Sequence, residues 1–198
     1  MQKRKNPEFR KLEILEHFYE VVIQEGIEGA SMAKIAASMK INTSLIFHYF
    51  QNKENLLIEL AGYIQKKYDP RHVREKLRKI KDPERRFDVL LDILFSETDV
   101  TTLHPRVFYA FYYLSYRSPK IRERLILMFE KHRDWIIKEL EIFLEEGIIK
   151  DIDLKLAADF IVSNFEGLSF HSEFLARDKP FDLFGKFSKK LTRDYLKA

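Results

Sequence analysis

Residues 41–57 read INTSLIFHYFQNKENLL. The stretch opens with small polar side chains at Asn42, Thr43 and Ser44, then sets Phe47, His48, Tyr49 and Phe50 side by side. Hydroxyls and an imidazole can exchange hydrogen bonds with polar edges, and aromatic rings offer flat apolar faces. A helix of a few turns buries only one stripe, so part of this set is left for an outside partner. Two short helices joined tightly, the second polar at its start, form the pattern of a helix-turn-helix. The first residues of such a second helix meet base edges in the DNA major groove. On that reading Ile46 and Phe50 face a small core with Ile35, Ala36 and Ile41, while Thr43, Ser44, Leu45, Phe47 and His48 face outward.

Apolar residues recur at helical spacing through nearly all of the chain. Phe9, Leu12, Leu15, Tyr19 and Val22 mark a first helix, with Pro7 just inside its start and Gly26 just past its end. Ser31 can cap a second helix, Asn42 a third at about 43–50, and Asn52 a fourth carrying Leu56, Leu57, Leu60 and Ile64. Asp69–Pro70 and Asp82–Pro83 interrupt the pattern. Further helices are expected at about 84–97, 105–117, 119–146, 153–177 and 182–197, and no strand is expected. The fold class is therefore all-α, with about nine helices in total. A three-helix helix-turn-helix DNA-binding domain is expected over 1–52, and a C-terminal helical bundle over 53–198.

Composition limits what this chain can be. Its 198 residues, 45% of them hydrophobic, suit one large or two small domains with a real core. Six Gly and six Pro are too few for the many turns of an all-β fold. No run of about 18 apolar residues occurs, so no membrane span is expected, and the basic start lacks the apolar stretch of a secretory signal. Cysteine is absent, which excludes disulfides and thiolate metal sites and fits a cytoplasmic protein. The net charge of +4 permits phosphate binding, with basic clusters at Lys3, Arg4 and Lys5 and again along 66–86. The second cluster reads equally well as a solvated helix face.

Catalysis finds little support. The near miss to a nucleophile elbow, GLSFH at 167–171, lacks the final Gly and a preceding strand. None of the six His has a Glu three residues before it, as a di-iron bundle requires. HExxH and phosphate-binding Gly loops are also missing. No enzyme activity, catalytic residue, metal site or cofactor is expected.

A second unusual stretch is RVFYAFYYLSYRS, 106–118, whose aromatics surround one helix on more than one side. Buried tyrosine hydroxyls need partners, so a core cannot easily absorb them all, and a cavity would use the surplus. Phe108, Tyr112 and Tyr113, with Trp135, Asn164 and His171 from later helices, form the candidate effector site. Such rings can also hold a cation over their faces. Phe160, Ile161, Phe165 and Leu168 on one helix, with Phe184, Phe187 and Leu191 on the last, form apolar seams. They are more than one subunit can readily cover, and are assigned to a homodimer interface.

At this point SMAKIAASMKINTSLIFHYFQNKENLL resembles the helix-turn-helix and fourth-helix start of the TetR family of bacterial transcriptional regulators. The matching features are Ile35–Ala36, the small polar opening after Ile41, His48–Tyr49–Phe50, and Lys53–Glu54 before Leu56. More loosely, EEGIIKDIDLKLAADFIVSNFEGL at 145–168 resembles the family's turn into its penultimate helix. The resemblance implies DNA binding by the first three helices, a small-molecule pocket in the C-terminal body, and dimerisation through the last two helices. It puts Thr43, Ser44, Leu45, Phe47 and His48 where the family reads DNA, and Tyr49 and Lys53 where it grips phosphate. Lys34 joins the phosphate contacts by the helix pattern alone. Lys40 stands where the family often has Gly, and is expected to bear an unfavourable φ. Ser44, Leu45 and Phe47 also depart from the frequent residues, which changes the expected operator sequence.

HYFQNKENLL further resembles a choline-responsive branch of the family, which makes a quaternary amine one effector candidate beside a lipid or an aromatic compound. The expected function is a ligand-responsive DNA-binding regulator. It would repress from a palindromic double-stranded operator and be released by a small apolar, aromatic or cationic effector. The reading from a different class is a helical carrier of lipids or amines without DNA binding.

Overall fold

The computed structural model describes residues 6–95, 103–175 and 180–197. The expected basic cluster at Lys3–Lys5 and the far ends of the helices expected at 84–97 and 153–177 lie outside these residues. Among the described residues there are ten α-helices and no strand: α1 Pro7–Gly29, α2 Met32–Met39, α3 Thr43–Phe50, α4 Lys53–Lys67, α5 Arg71–Arg78, α6 Pro83–Phe95, α7 Pro105–Ser115, α8 Pro119–Glu145, α9 Leu154–Phe174 and α10 Pro180–Lys197. None of them is long and apolar enough to cross a membrane.

Local chemistry sets the boundaries. The Asn6 side chain accepts from the Glu8 N–H, and Pro7 supplies a pre-set φ at the first helical position. Gly26, at φ 72° and ψ 167°, breaks the regular helix inside α1. Ser31, Asn42 and Asn52 cap α2, α3 and α4 by accepting backbone N–H bonds from Lys34 at 3.3 Å, Ser44 at 2.9 Å and Asn55 at 2.8 Å. Asp153 accepts from Lys155 and Leu156 at the start of α9.

The described chain divides into two compact units. The first comprises residues 1–67 with 103–127. In it α1 packs against α2, α4 and α7, and α3 lies against both α2 and α4. Phe18, Ile35, Ile46, Phe50, Leu60 and Phe111 are buried there. At about 1.5–3 kcal/mol for each fully buried large apolar side chain, Ile46 and Phe50 fix the face that α3 turns inward. The second unit comprises 68–102 with 128–198. There α10 packs on α9 and α6, and α5 on α6, around a core that includes Phe87, Trp135, Phe143, Ile161 and Leu168. The functional boundary expected at 52/53 runs through the first packing unit.

One helix exceeds the expected nine. α5 occupies the basic stretch between Asp69–Pro70 and Asp82–Pro83, where only Val73 and Leu77 supply an apolar i, i+4 pair, both fully buried. Two of its cations serve internal pairs. Arg71 meets Asp69 at 2.9 Å and Arg74 lies 3.6 Å from the buried Glu139, while on the following helix α6 Arg86 bonds Glu146. Burial raises the Glu139 carboxyl while Arg74 and the Trp135 side chain oppose the rise. Lys76, Arg78, Lys79, Lys81 and Arg85 are exposed.

Candidate nucleic-acid interface and effector region

The reading surface is built on α3. The turn from α2 passes through Lys40 at φ 55° and ψ 44°, a left-handed conformation that costs a non-Gly residue about 1–2 kcal/mol. Its N–H bonds the Ala37 carbonyl at 3.1 Å, and the Ile41 N–H bonds that of Ala36 at 3.0 Å, closing α2. Beyond α3, Gln51 adopts φ 62° and ψ −47°. The Asn52 N–H reaches back to the Phe50 carbonyl at 2.6 Å, which makes Gln51 the centre of a strained three-residue turn. The Asn55 amide donates to the Gln51 side chain at 2.9 Å and helps hold it. Nothing in the residue type of Gln51 announces this strain.

Between these two turns, Ile46 and Phe50 point inward and Ser44, Phe47 and His48 are exposed, with Thr43, Leu45 and Tyr49 half-buried. Phe47 shows 49% of its surface, a large apolar group left for an outside contact. His48 and Tyr49 stack edge-to-face with ring centroids 5.3 Å apart, which limits the freedom of both. The two expected lysines are engaged within the protein. Lys53 donates from Nζ to the Ile27 carbonyl at 3.0 Å, and Lys34 pairs with Glu25 Oε2 at 2.6 Å.

The six expected effector residues fall in different units. Phe108, Tyr112 and Tyr113 lie on α7 in the first unit, and Trp135, Asn164 and His171 in the second. Phe108 stacks on Tyr112 at 6.3 Å, and the Tyr112 and Tyr116 hydroxyls share a 3.0 Å hydrogen bond that raises the Tyr112 pKa. Tyr112 and Tyr113 are about half exposed. Trp135 is buried in the second core. Asn164 accepts from Ser188 at 3.2 Å, and His171 lies flat on Phe184 with centroids 4.4 Å apart, so both are turned to α10.

The expected dimer residues separate by depth. Ile161 and Leu168 are spent in the unit's own core, and Phe165 is half-buried. Phe160, Phe184, Phe187 and Leu191 remain 42%, 39%, 53% and 45% exposed, a surplus of apolar surface on α9 and α10.

Two features escaped the sequence reading. An open groove of about 680 Å³ in the first unit is lined by Leu12, Glu16, His17 and Glu20 of α1 and Tyr63, Lys66 and Lys67 of α4. Burial, with Glu16, Tyr19 and Glu20 nearby, pushes the Tyr63 hydroxyl up to about 12, and the Lys67 ammonium sits 4.2 Å over the Tyr19 ring. The second is Glu166 on α9, half-buried and lacking an ion pair or hydrogen bond among the described residues. Burial raises its carboxyl to about 7 from an ordinary 4.5. A lone acidic residue in a helix gives no sequence signal of such desolvation.

An α3 buried along one edge, polar at its start and held between two strained turns, has the form of the second helix of a helix-turn-helix. Residues 14–60 match the model of bacterial regulatory proteins of the tetR family. The HTH-type transcriptional regulator BetI of Burkholderia cenocepacia is 23% identical over 115 residues, covering 58% of this chain and 59% of BetI. The matched region therefore spans less than two thirds of those relatives. PksA of Bacillus subtilis, also an HTH-type transcriptional regulator, is 25% identical over 177 residues, covering 87% of this chain and 82% of its own. The crystal structure of a transcriptional regulator from Saccharomonospora viridis in complex with choline superposes with TM-score 0.82 at 18% identity, covering 96% of this chain and 98% of that one.

Proposed function

We propose that this protein is a cytoplasmic, ligand-responsive DNA-binding transcriptional regulator. It binds a palindromic operator as a homodimer, represses, and is released by a small effector. The exposed face of α3, with its core face fully committed at Ile46 and Phe50, is the observation that carries this reading. Thr43, Ser44, Leu45, Phe47 and His48 read bases, and Tyr49, Lys53 and Lys34 contact phosphate. Affinity then comes mainly from phosphate neutralisation and specificity from few base contacts. One eight-residue helix reads few base pairs, so two copies set about one helical turn apart supply the rest. The exposed apolar surface of α9 and α10 supports the pairing.

Functionally, the division falls at the start of α4, with 1–52 for DNA and 53–198 for effector and partner. The effector class favoured here is an organic cation. The choline complex of the S. viridis regulator supports it, as does the half-buried Glu166 carboxylate without a cation partner among the described residues. The α7 aromatics of the first unit remain one proposed set of effector contacts, and Trp135, Asn164 and His171 of the second unit a separate one. Binding and release are reciprocal: an effector that weakens DNA must be weakened by DNA through the same factor.

Selection of bound duplexes from a random pool tests the DNA role, and failure to enrich any motif would favour the carrier reading. Thr43→Ala should change the selected motif. Addition of choline, against its uncharged isostere 3,3-dimethyl-1-butanol, tests the effector class. Equal release by both compounds would remove the charge from effector recognition.

A further inference from the structure

The end of α1 gathers two cations. Glu25 lies in its last regular turn, before the Gly26 break, and accepts from Lys34 Nζ at 2.6 Å. Two residues past Glu25, the Ile27 carbonyl accepts from Lys53 at 3.0 Å. Both partners of the Glu25–Lys34 pair sit at the helix end that disfavours their own charge. An acid at a C-terminus meets the negative pole of its helix, and a lysine in the first turn of α2 meets the positive pole. Left alone, each loses; together they compensate. Gly29 keeps the space between them open. A Cβ there would lie 3.3 Å from the Glu25 Cβ and 3.9 Å from both Glu25 Oε2 and Lys34 Nζ. The pair is about half exposed on both sides, so an external anion can reach it.

An anion is also what the first turn of α2 attracts, through its free N–H groups and dipole. On the DNA-binding reading above, on which this inference rests, that anion is a backbone phosphate. We infer that Glu25 is an intramolecular competitor for Lys34: it occupies the ammonium in the free protein and must yield it when phosphate arrives. Glu25 thereby lowers DNA affinity for every sequence alike and leaves the choice of sequence untouched. Lys53 differs in kind. Its partner is a neutral carbonyl, which carries no charge to repel phosphate as the Glu25 carboxylate does, so that bond can persist while another Lys53 N–H contacts phosphate.

The test is a double-mutant cycle of Glu25→Gln and Lys34→Ala, titrated against the selected operator and a random-sequence duplex at several salt concentrations. Melting curves check that each variant folds. Exposed pairs are worth about 0.2–1 kcal/mol, so Glu25→Gln should tighten both duplexes by about 1.4- to fivefold. It should also steepen the salt dependence by up to about one unit. In the Lys34→Ala background the gain should largely vanish. An unchanged or weakened affinity for Glu25→Gln overturns the inference and leaves DNA binding intact. So does an equal gain in both backgrounds, which would report only net charge. Failure of the wild-type protein to bind either duplex at low salt overturns the DNA-binding reading itself.

Discussion

Glu166 offers a sharp test of the second unit. Its folded carboxyl titrates at about 7 against an ordinary 4.5, through burial. Below about pH 4.5 folded and unfolded chains both hold the proton. Between about 4.5 and 7 only the folded chain does, so folding takes up a proton and stability falls as pH rises. Above 7 the loss is complete. At 1.36 kcal/mol per pH unit the interval amounts to about 3 kcal/mol at most, and part exposure of the side chain reduces it to roughly 2 kcal/mol. Glu166→Gln removes the ionisation at nearly constant shape. The variant should match the wild type at pH 4 and exceed it by about 2 kcal/mol at pH 8. For a chain of this length that is roughly 4–8 °C in melting temperature. Thermal melts of both proteins at half-unit pH steps supply the measurement, and the difference between them cancels every other titrating group to first order. A saturating organic cation at pH 8 should narrow the gap by stabilising the wild type alone. Parallel curves from pH 5 to 8 would mean that Glu166 ionises freely, and would remove its support for a cationic effector.

Lys53→Ala should weaken all duplexes alike and flatten the salt slope by about one unit. Loss of the bond to the Ile27 carbonyl should also cost about 1 kcal/mol in urea unfolding. Phe187→Glu puts a charge on the exposed α9–α10 surface and should turn a dimer into a monomer in sedimentation while leaving the melting of the separated chain nearly unchanged. A variant that still sediments as a dimer would move the interface elsewhere. Lys40→Gly relieves the left-handed backbone at the α2–α3 turn. It should raise stability by about 0.5–1 kcal/mol in the same urea assay, after the entropy cost of glycine is subtracted.

The helices that the sequence announced most clearly are those with explicit punctuation. Ser31, Asn42 and Asn52 read as caps and act as caps, because a side-chain oxygen before an apolar-periodic run has one dominant use. The strain at Lys40 was legible too, through the family resemblance, since a lysine stands where the family often has Gly. α5 was not, because two apolar residues among arginines and lysines carry almost no periodic signal; tertiary burial of Val73 and Leu77 stabilises it instead. Side-chain destinations were harder still. Exposed and buried members of α9 share one composition, and only packing separates Phe160 from Ile161. The engagement of Lys34 with Glu25, nine positions away, depends on how α1 and α2 cross, which no local pattern encodes.

The makeup of α3 bears on what it is able to read. Thr43–Phe50 contains no Arg, Lys, Asn or Gln, the side chains that grip guanine or adenine with paired hydrogen bonds. Beside the exposed Ser44 and His48, its large apolar surface is Phe47, with Leu45 half-buried nearby. Such groups find their match in the thymine 5-methyl, a feature made of carbon rather than of donors and acceptors. An operator rebuilt with deoxyuridine for thymidine keeps every base pair and phosphate, yet strips that carbon away. A cytosine methylated at C5 carries the same group, so on the proposed DNA-binding reading enzymatic methylation would write a contact for this helix into a site whose base sequence has not changed.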